Sequence, residues 1–261
     1  MTGSRPAPEP DREGEPGAVG ERAASAGSDT MVRGFQGVSR AGRRAPGVHE
    51  DAEGCGAVKV LISGGGPAGA TAAYWLASQG IPVTVLEKTG YPREKVCGDG
   101  LTPRAVQQMR LMGLPHGEAE GYTRNQGLRL VAGGGTGGVP RAALNHVPSY
   151  GLVRTRAGFD EDIIRHAQRA GAHVVEHRAV KDVLRDGTGR VVGVRATVMD
   201  PATGRRTAET EEHTADLVLA ADGNSTRTAV AAGLHRRTDR PMGVAVRAYY
   251  TAGAAVGGAI P

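Results

Sequence analysis

The chain has 261 residues, room for one large domain, or a domain plus fragments, rather than an array of domains. Forty-one glycines and an aromatic content of 3% leave a thin core of Val, Leu and Ala, and the formal net charge is +5. Two cysteines, Cys55 and Cys97, exclude a disulfide framework, and no apolar run approaches the roughly 20 residues of a membrane-spanning helix.

Residues 1–56 are Gly, Ala, Pro, Arg and Glu with hardly any apolar side chain. Such a stretch cannot offset its ordering entropy, and it is predicted to be a disordered tail. It lacks the apolar h-region of a secretory signal, and Asp11, Glu13, Glu15 and Glu21 argue against a transit peptide. Arg33, Arg40, Arg43 and Arg44 carry part of the basic excess. A solvated basic tail is expected, with weak attraction to an anionic membrane surface as the alternative. No basic face with a reading element is visible, so no nucleic-acid partner is expected.

Val58 to Ile62 is an apolar run, followed by Gly64-Gly65-Gly66-Pro67-Ala68-Gly69 and an Ala-rich stretch to Ser78. This is a strand, a glycine turn and a helix start, the order a dinucleotide pyrophosphate requires. Gly64 makes the turn, Gly66 admits the phosphates, and Gly69 lets helix and strand pack closely. The helix N-terminus offers unpaired N–H groups to the anion. Pro82 to Leu86 reads as a second buried strand ending at Glu87. An acid about 20 residues past the glycines can accept hydrogen bonds from an adenosine ribose, and it disfavours a 2′-phosphate there.

Tyr91 to Leu101 reads as a loop, and Thr102-Pro103 as the cap and first position of a helix over 104–112. In that loop Gly98 and Gly100 let the backbone pass close to a flat ring. Cys97 beside them is either a reactive thiol or a small residue in a tight loop. Gly127 to Val131 is a candidate strand, and the glycine run 133–138 has no assigned structure. Gly151 to Arg154 reads as a short strand. Phe159, Ile163, Ile164, Ala167 and Ala170 recur at helical spacing before Gly171, and Ala172 to Val175 follows as a strand.

Three antiparallel strands are predicted at 179–185, 190–198 and 205–211, joined by Asp-Gly and Asp-Pro turns. Leu217 to Ala221 is a continuous apolar run, suited to a central parallel strand. It ends at Asp222-Gly223, the strand end at which open α/β sheets bind ligands. The Asp222 carboxylate can accept from a sugar-alcohol hydroxyl, or it can cap an ordinary turn together with Ser225 before a helix over 226–232. A meander in place of a later crossover is a feature of flavoprotein folds of the glutathione-reductase type. The predicted fold class is therefore α/β, a Rossmann-like FAD-binding fold with a β-meander. His166, His173 and His177 form no convincing ligand set, and no metal is expected.

The segment Lys59 to Arg104, with its loop Lys95-Val96-Cys97-Gly98-Asp99-Gly100-Leu101, resembles the geranylgeranyl reductase family of FAD-dependent oxidoreductases, in particular its actinobacterial members. The resemblance resumes at Tyr150 to Arg154 and Arg156 to Asp160, runs through Asp222 to Arg227, and is strong again from His235 to Tyr250. It implies that Gly64, Gly66, Ala68 and Gly69 hold the FAD pyrophosphate and Glu87 the adenosine ribose. By the same resemblance Cys97, Gly98 and Gly100 lie along the flavin, Arg156 contacts the cofactor, Val180 meets the adenine, and Asp222 is the Asp of an Asp-Gly motif. The implied activity is reduction of isoprenoid double bonds, in a geranylgeranyl chain or a menaquinone side chain, by hydride from a flavin that NAD(P)H reduces.

A prenyl-lipid substrate implies a cytoplasmic protein with peripheral membrane contact. An aromatic hydroxylase on the same fold is the alternative. Members of the family continue to a second motif, Gly-Asp-Ala, and this sequence ends at Pro261 without it. A product truncated at its C-terminus is therefore expected, with an inactive fragment as a further alternative. The expected organisation is a tail (1–56), an FAD-binding domain (57–124 and 149–235), and an incomplete substrate domain (125–148 and 236–261).

Overall fold

The computed structural model describes residues 57–140, 147–224, 226–235, 239, 241 and 243–249. The predicted tail and the closing stretch 251–261 lie outside these residues, as does Ser225.

Strand β1 (Val60–Ser63) runs through the glycine loop into helix α1 (Pro67–Ser78). Pro67 fixes the first helical φ, and its missing N–H costs nothing at that position. Strand β2 (Val83–Leu86) follows. After the 91–99 loop come a two-residue strand, β3 (Gly100–Leu101), and helix α2 (Pro103–Met112), capped by the Thr102 hydroxyl accepting from the Ala105 N–H at 3.3 Å. Strand β4 (Thr123–Asn125) precedes a hairpin, β5 (Gly127–Ala132) and β6 (Gly135–Pro140).

The glycine run is therefore a hairpin arm. Gly133 and Gly134, at φ 56° and 82°, form its two-residue turn. Strand β7 (Gly151–Val153), helix α3 (Arg156–Arg169) and strand β8 (His173–Val175) come next. The meander is β9 (Arg178–Arg185), β10 (Val191–Met199) and β11 (Arg206–Thr214). Strand β12 (Leu217–Ala220) leads to the short helix α4 (Arg227–Ala231), whose N-terminus is capped by Thr226.

β12, β1, β2 and β8 form one parallel sheet in that order. Alternation in β1 explains the layering. Val60 and Ile62 face a core shared with α1 and α3, where Ala70, Ala73, Ile163 and Ile164 meet them. Leu61, between them, faces Val180, Val194 and Ala196 of the meander. Both faces of the sheet are covered, which is why its strands read as unbroken apolar runs. β3, β7 and β4 form a separate antiparallel sheet, with β7 in the middle. None of the helices among the described residues is long and apolar enough to cross a membrane.

Candidate functional site: a cleft at the carboxyl edge of the parallel sheet

Strand β1 is the point where the sheet order reverses, with β2 on one side and β12 on the other. Its carboxyl end is thus the place where an open α/β sheet leaves a crevice. A cleft of about 460 Å³ opens there. Gly64, Gly66, Ala68, Glu87, Arg156, Val180 and Asp222 all line it. Residues 158 apart in sequence, Gly64 and Asp222, share one wall because β1 and β12 are hydrogen-bonded neighbours.

The glycine loop is shaped by contact. Gly64 has φ 100°, and a Cβ there would lie 2.6 Å from the Ala221 carbonyl oxygen. A Cβ on Gly69 would collide with the Gly64 carbonyl oxygen, so α1 sits directly on the loop it follows. A Cβ on Gly66 would meet only the Arg93 guanidinium, at 3.3 Å. Gly69 is buried beneath the cleft and acts through this packing. No side chain caps α1, so its first-turn N–H groups are left for a ligand.

The two acids differ in their surroundings. Glu87 is 4% exposed at the end of β2. Its Oε2 accepts from the Gly65 N–H at 2.9 Å, and its Oε1 accepts from the Thr89 hydroxyl at 3.0 Å. The first bond ties the acid to the glycine loop, and the second ties it to the turn that follows β2. Asp222 accepts from the Thr226 hydroxyl at 2.5 Å and from the N–H groups of Arg227 and Thr228 at 2.7 and 3.1 Å. Burial pushes its carboxyl upward, but these donors outweigh burial and hold it below the ordinary carboxylate value. Asp222 is therefore both a cleft wall and the anchor of the turn into α4. The capping alternative read from the sequence holds for Asp222, with Thr226 as the hydroxyl partner.

Cys97, Gly98 and Gly100 do not line this cleft. Cys97 is exposed, and its side chain reaches the Arg156 guanidinium. A Cβ on Gly98 or Gly100 would meet nothing within 4 Å. The loop is held from the far end of the described chain. Arg247 bonds the Glu94 carboxylate at 2.7 Å and the Cys97 carbonyl at 3.3 Å, and the Tyr249 hydroxyl donates to Asp99 at 2.7 Å.

Sequence reasoning missed the cationic lining. Seven Lys and Arg side chains line the cleft against two acids. Arg93 reaches in from the loop after β2, ion-paired with the buried Asp160 at 2.9 Å and 3.9 Å from Glu87. Its Nε is buried with no hydrogen-bond partner among the described residues. Arg178, at the start of β9, is held by Glu211 at 2.7 Å. The Arg156–Asp160 spacing of four on α3 was a readable signal. Arg93 gave none, because its partner lies 67 positions away.

An uncapped helix N-terminus, a cradle that a Cβ would fill, an excess of cations and an orphaned buried donor are complementary to a pyrophosphate. Glu87 at the end of the neighbouring strand is placed for a sugar. Fold and cleft together define a dinucleotide-binding α/β domain of the flavoprotein type. A model of the FAD binding domain family matches residues 57–251, and the chain belongs to that family.

Menaquinone reductase of Mycobacterium tuberculosis (strain ATCC 25618 / H37Rv) is 36% identical over 192 residues, which are 73% of this chain and 43% of that protein. Among solved structures, the myxobacterial chondrochloren halogenase CndH has TM-score 0.56 at 27% identity, over 67% of this chain and 39% of that one. A geranylgeranyl bacteriochlorophyll reductase-like protein from Thermoplasma acidophilum has TM-score 0.53 at 27% identity, over 68% of this chain and 42% of that one. The chain spans less than half the length of each of these proteins.

Proposed function

We propose that this chain is the cofactor-holding part of an FAD-dependent oxidoreductase that saturates isoprenoid double bonds, with NAD(P)H as reductant and a prenyl lipid as substrate. The observation that carries the reading is the convergence of the glycine loop, Glu87, Arg156, Val180 and Asp222 on one cationic cleft. Gly64, Gly66 and Ala68, with Arg93 and Arg156, would bind the phosphates, and Glu87 would orient the ribose. Asp222, by anchoring the turn after β12, would fix that wall of the cleft. Bound FAD would supply the two-electron chemistry, and the protein supplies binding, orientation and exclusion of water.

The isoprenoid substrate is supported by the likeness to a menaquinone reductase and to a geranylgeranyl reductase-like structure. A prenyl chain implies work at a membrane surface from the cytoplasmic side. A second reading is an oxygen-consuming flavoenzyme acting on an aromatic substrate, and the likeness to an FAD-dependent halogenase supports it only in that the same fold serves other flavin chemistry.

The purified chain with FAD and NAD(P)H, given menaquinone without oxygen in one assay and an aromatic substrate with oxygen in a second, separates the two. Mass spectrometry is expected to show added hydrogen in the side chain. Oxygen uptake driven by an aromatic substrate, with the prenyl chain unchanged, would overturn the proposal in favour of the second reading.

A further inference from the structure

Asp160 is 0% exposed and does not line the cleft, yet it organises two residues that do. Its Oδ1 accepts from Arg156 Nε at 2.8 Å, and its Oδ2 accepts from Arg156 Nη2 at 2.9 Å. The same carboxylate takes Arg93 Nη2 at 2.9 Å. One buried anion thus holds two guanidinium groups that reach it from different elements, the helix α3 and the loop after β2. The bidentate fork fixes the plane of Arg156 as well as its position. Two cations on one anion leave this cluster with one positive charge in excess, and both guanidinium groups line the cleft, Arg93 with Glu87 3.9 Å away. Arg93 also keeps a spare donor, since its buried Nε has no partner among the described residues. A buried carboxylate without such partners would be costly, and this one has both.

We propose that Asp160 is a positioning residue, one that presents Arg93 and Arg156 as a rigid pair to the phosphates of a dinucleotide. The inference rests on the reading of the cleft as the FAD site, and it adds to that reading the residue that preorganises its anion-binding side. It also separates the roles of the walls. The glycine loop supplies N–H groups from the helix end, and the Asp160 cluster supplies charge beside it, with the Arg93 guanidinium 3.3 Å from where a Cβ on Gly66 would stand.

The test compares adenosine and ADP, titrated calorimetrically into the purified chain, its D160N variant and its D160E variant. Asparagine removes the charge that holds the two arginines, while glutamate keeps it on a stem longer by one methylene. The unaltered chain is expected to bind ADP more tightly than adenosine. D160N is expected to weaken ADP binding about 10- to 100-fold, the size of effect that removal of outer-shell partners has at metal sites. D160E is expected to fall between, and adenosine affinity to stay the same in all three. ADP affinity within twofold of the unaltered chain in folded D160N or D160E, melting temperature notwithstanding, would overturn the positioning role. If D160N does not fold, D160E alone decides. An unaltered chain that binds ADP no better than adenosine would overturn the cofactor reading itself, and the proposal with it.

Discussion

Gly64 joins backbone strain to function. At φ 100°, with the Ala221 carbonyl 2.6 Å from where a Cβ would stand, the position excludes every side chain. G64A is expected to destabilise the fold by about 1–3 kcal/mol and to weaken FAD binding, read by thermal melting and by titration. Asp222 gives a prediction in pH. Its carboxyl is held below the ordinary value in the fold, so its contribution is full above the unfolded-state carboxylate range near 4 and is lost as pH falls through its lower folded value. The stability of the unaltered chain is therefore expected to decline more steeply than that of D222N as pH drops below about 4. Equal acid profiles would show that the Thr226, Arg227 and Thr228 donors do not favour the ionised form.

At the scale of elements, α3 carries both the core and the site. Its apolar side packs Ile163, Ile164 and Ala167 against the sheet and α1, and its N-terminal end carries Arg156 and, one turn on, Asp160. I164A at this 0% exposed position is expected to cost about 2–5 kcal/mol in urea unfolding. The 243–249 segment ties the Cys97 loop through Arg247 and Tyr249. R247A is expected to speed amide hydrogen exchange over 94–99 while leaving α1 unchanged.

The elements themselves were legible where a period or a stop was present. α1, α3 and the meander strands fall within a few residues of the sequence reading. The β5–β6 hairpin was only half legible, because an arm built from Gly135, Gly137 and Gly138 shows no alternation. In the site, Gly64, Gly66 and Glu87 were legible because one β-α-β unit fixes their spacing. Arg93 and Arg178 were not, because each depends on a partner brought near only by the fold, and of the two partners of Asp160 only Arg156, four residues away on α3, could be read from the sequence.

At the scale of the whole molecule, three layers converge on one edge. The helices bring Arg156, the parallel sheet brings the glycine loop with Glu87 and Asp222, and the meander brings Arg178 and Val180. With seven cations in its lining, the cleft is expected to bind FAD more weakly as ionic strength rises, and far less so riboflavin, which has no phosphate. The central claim is that these groups make one cradle for FAD. Amide chemical shifts of the isotope-labelled chain, followed during FAD titration, test it most directly. The account predicts that the signals of Gly64, Gly66, Glu87, Val180 and Asp222 move together and saturate at one affinity. Shifts confined to another face of the protein, or none at saturating FAD, would contradict it.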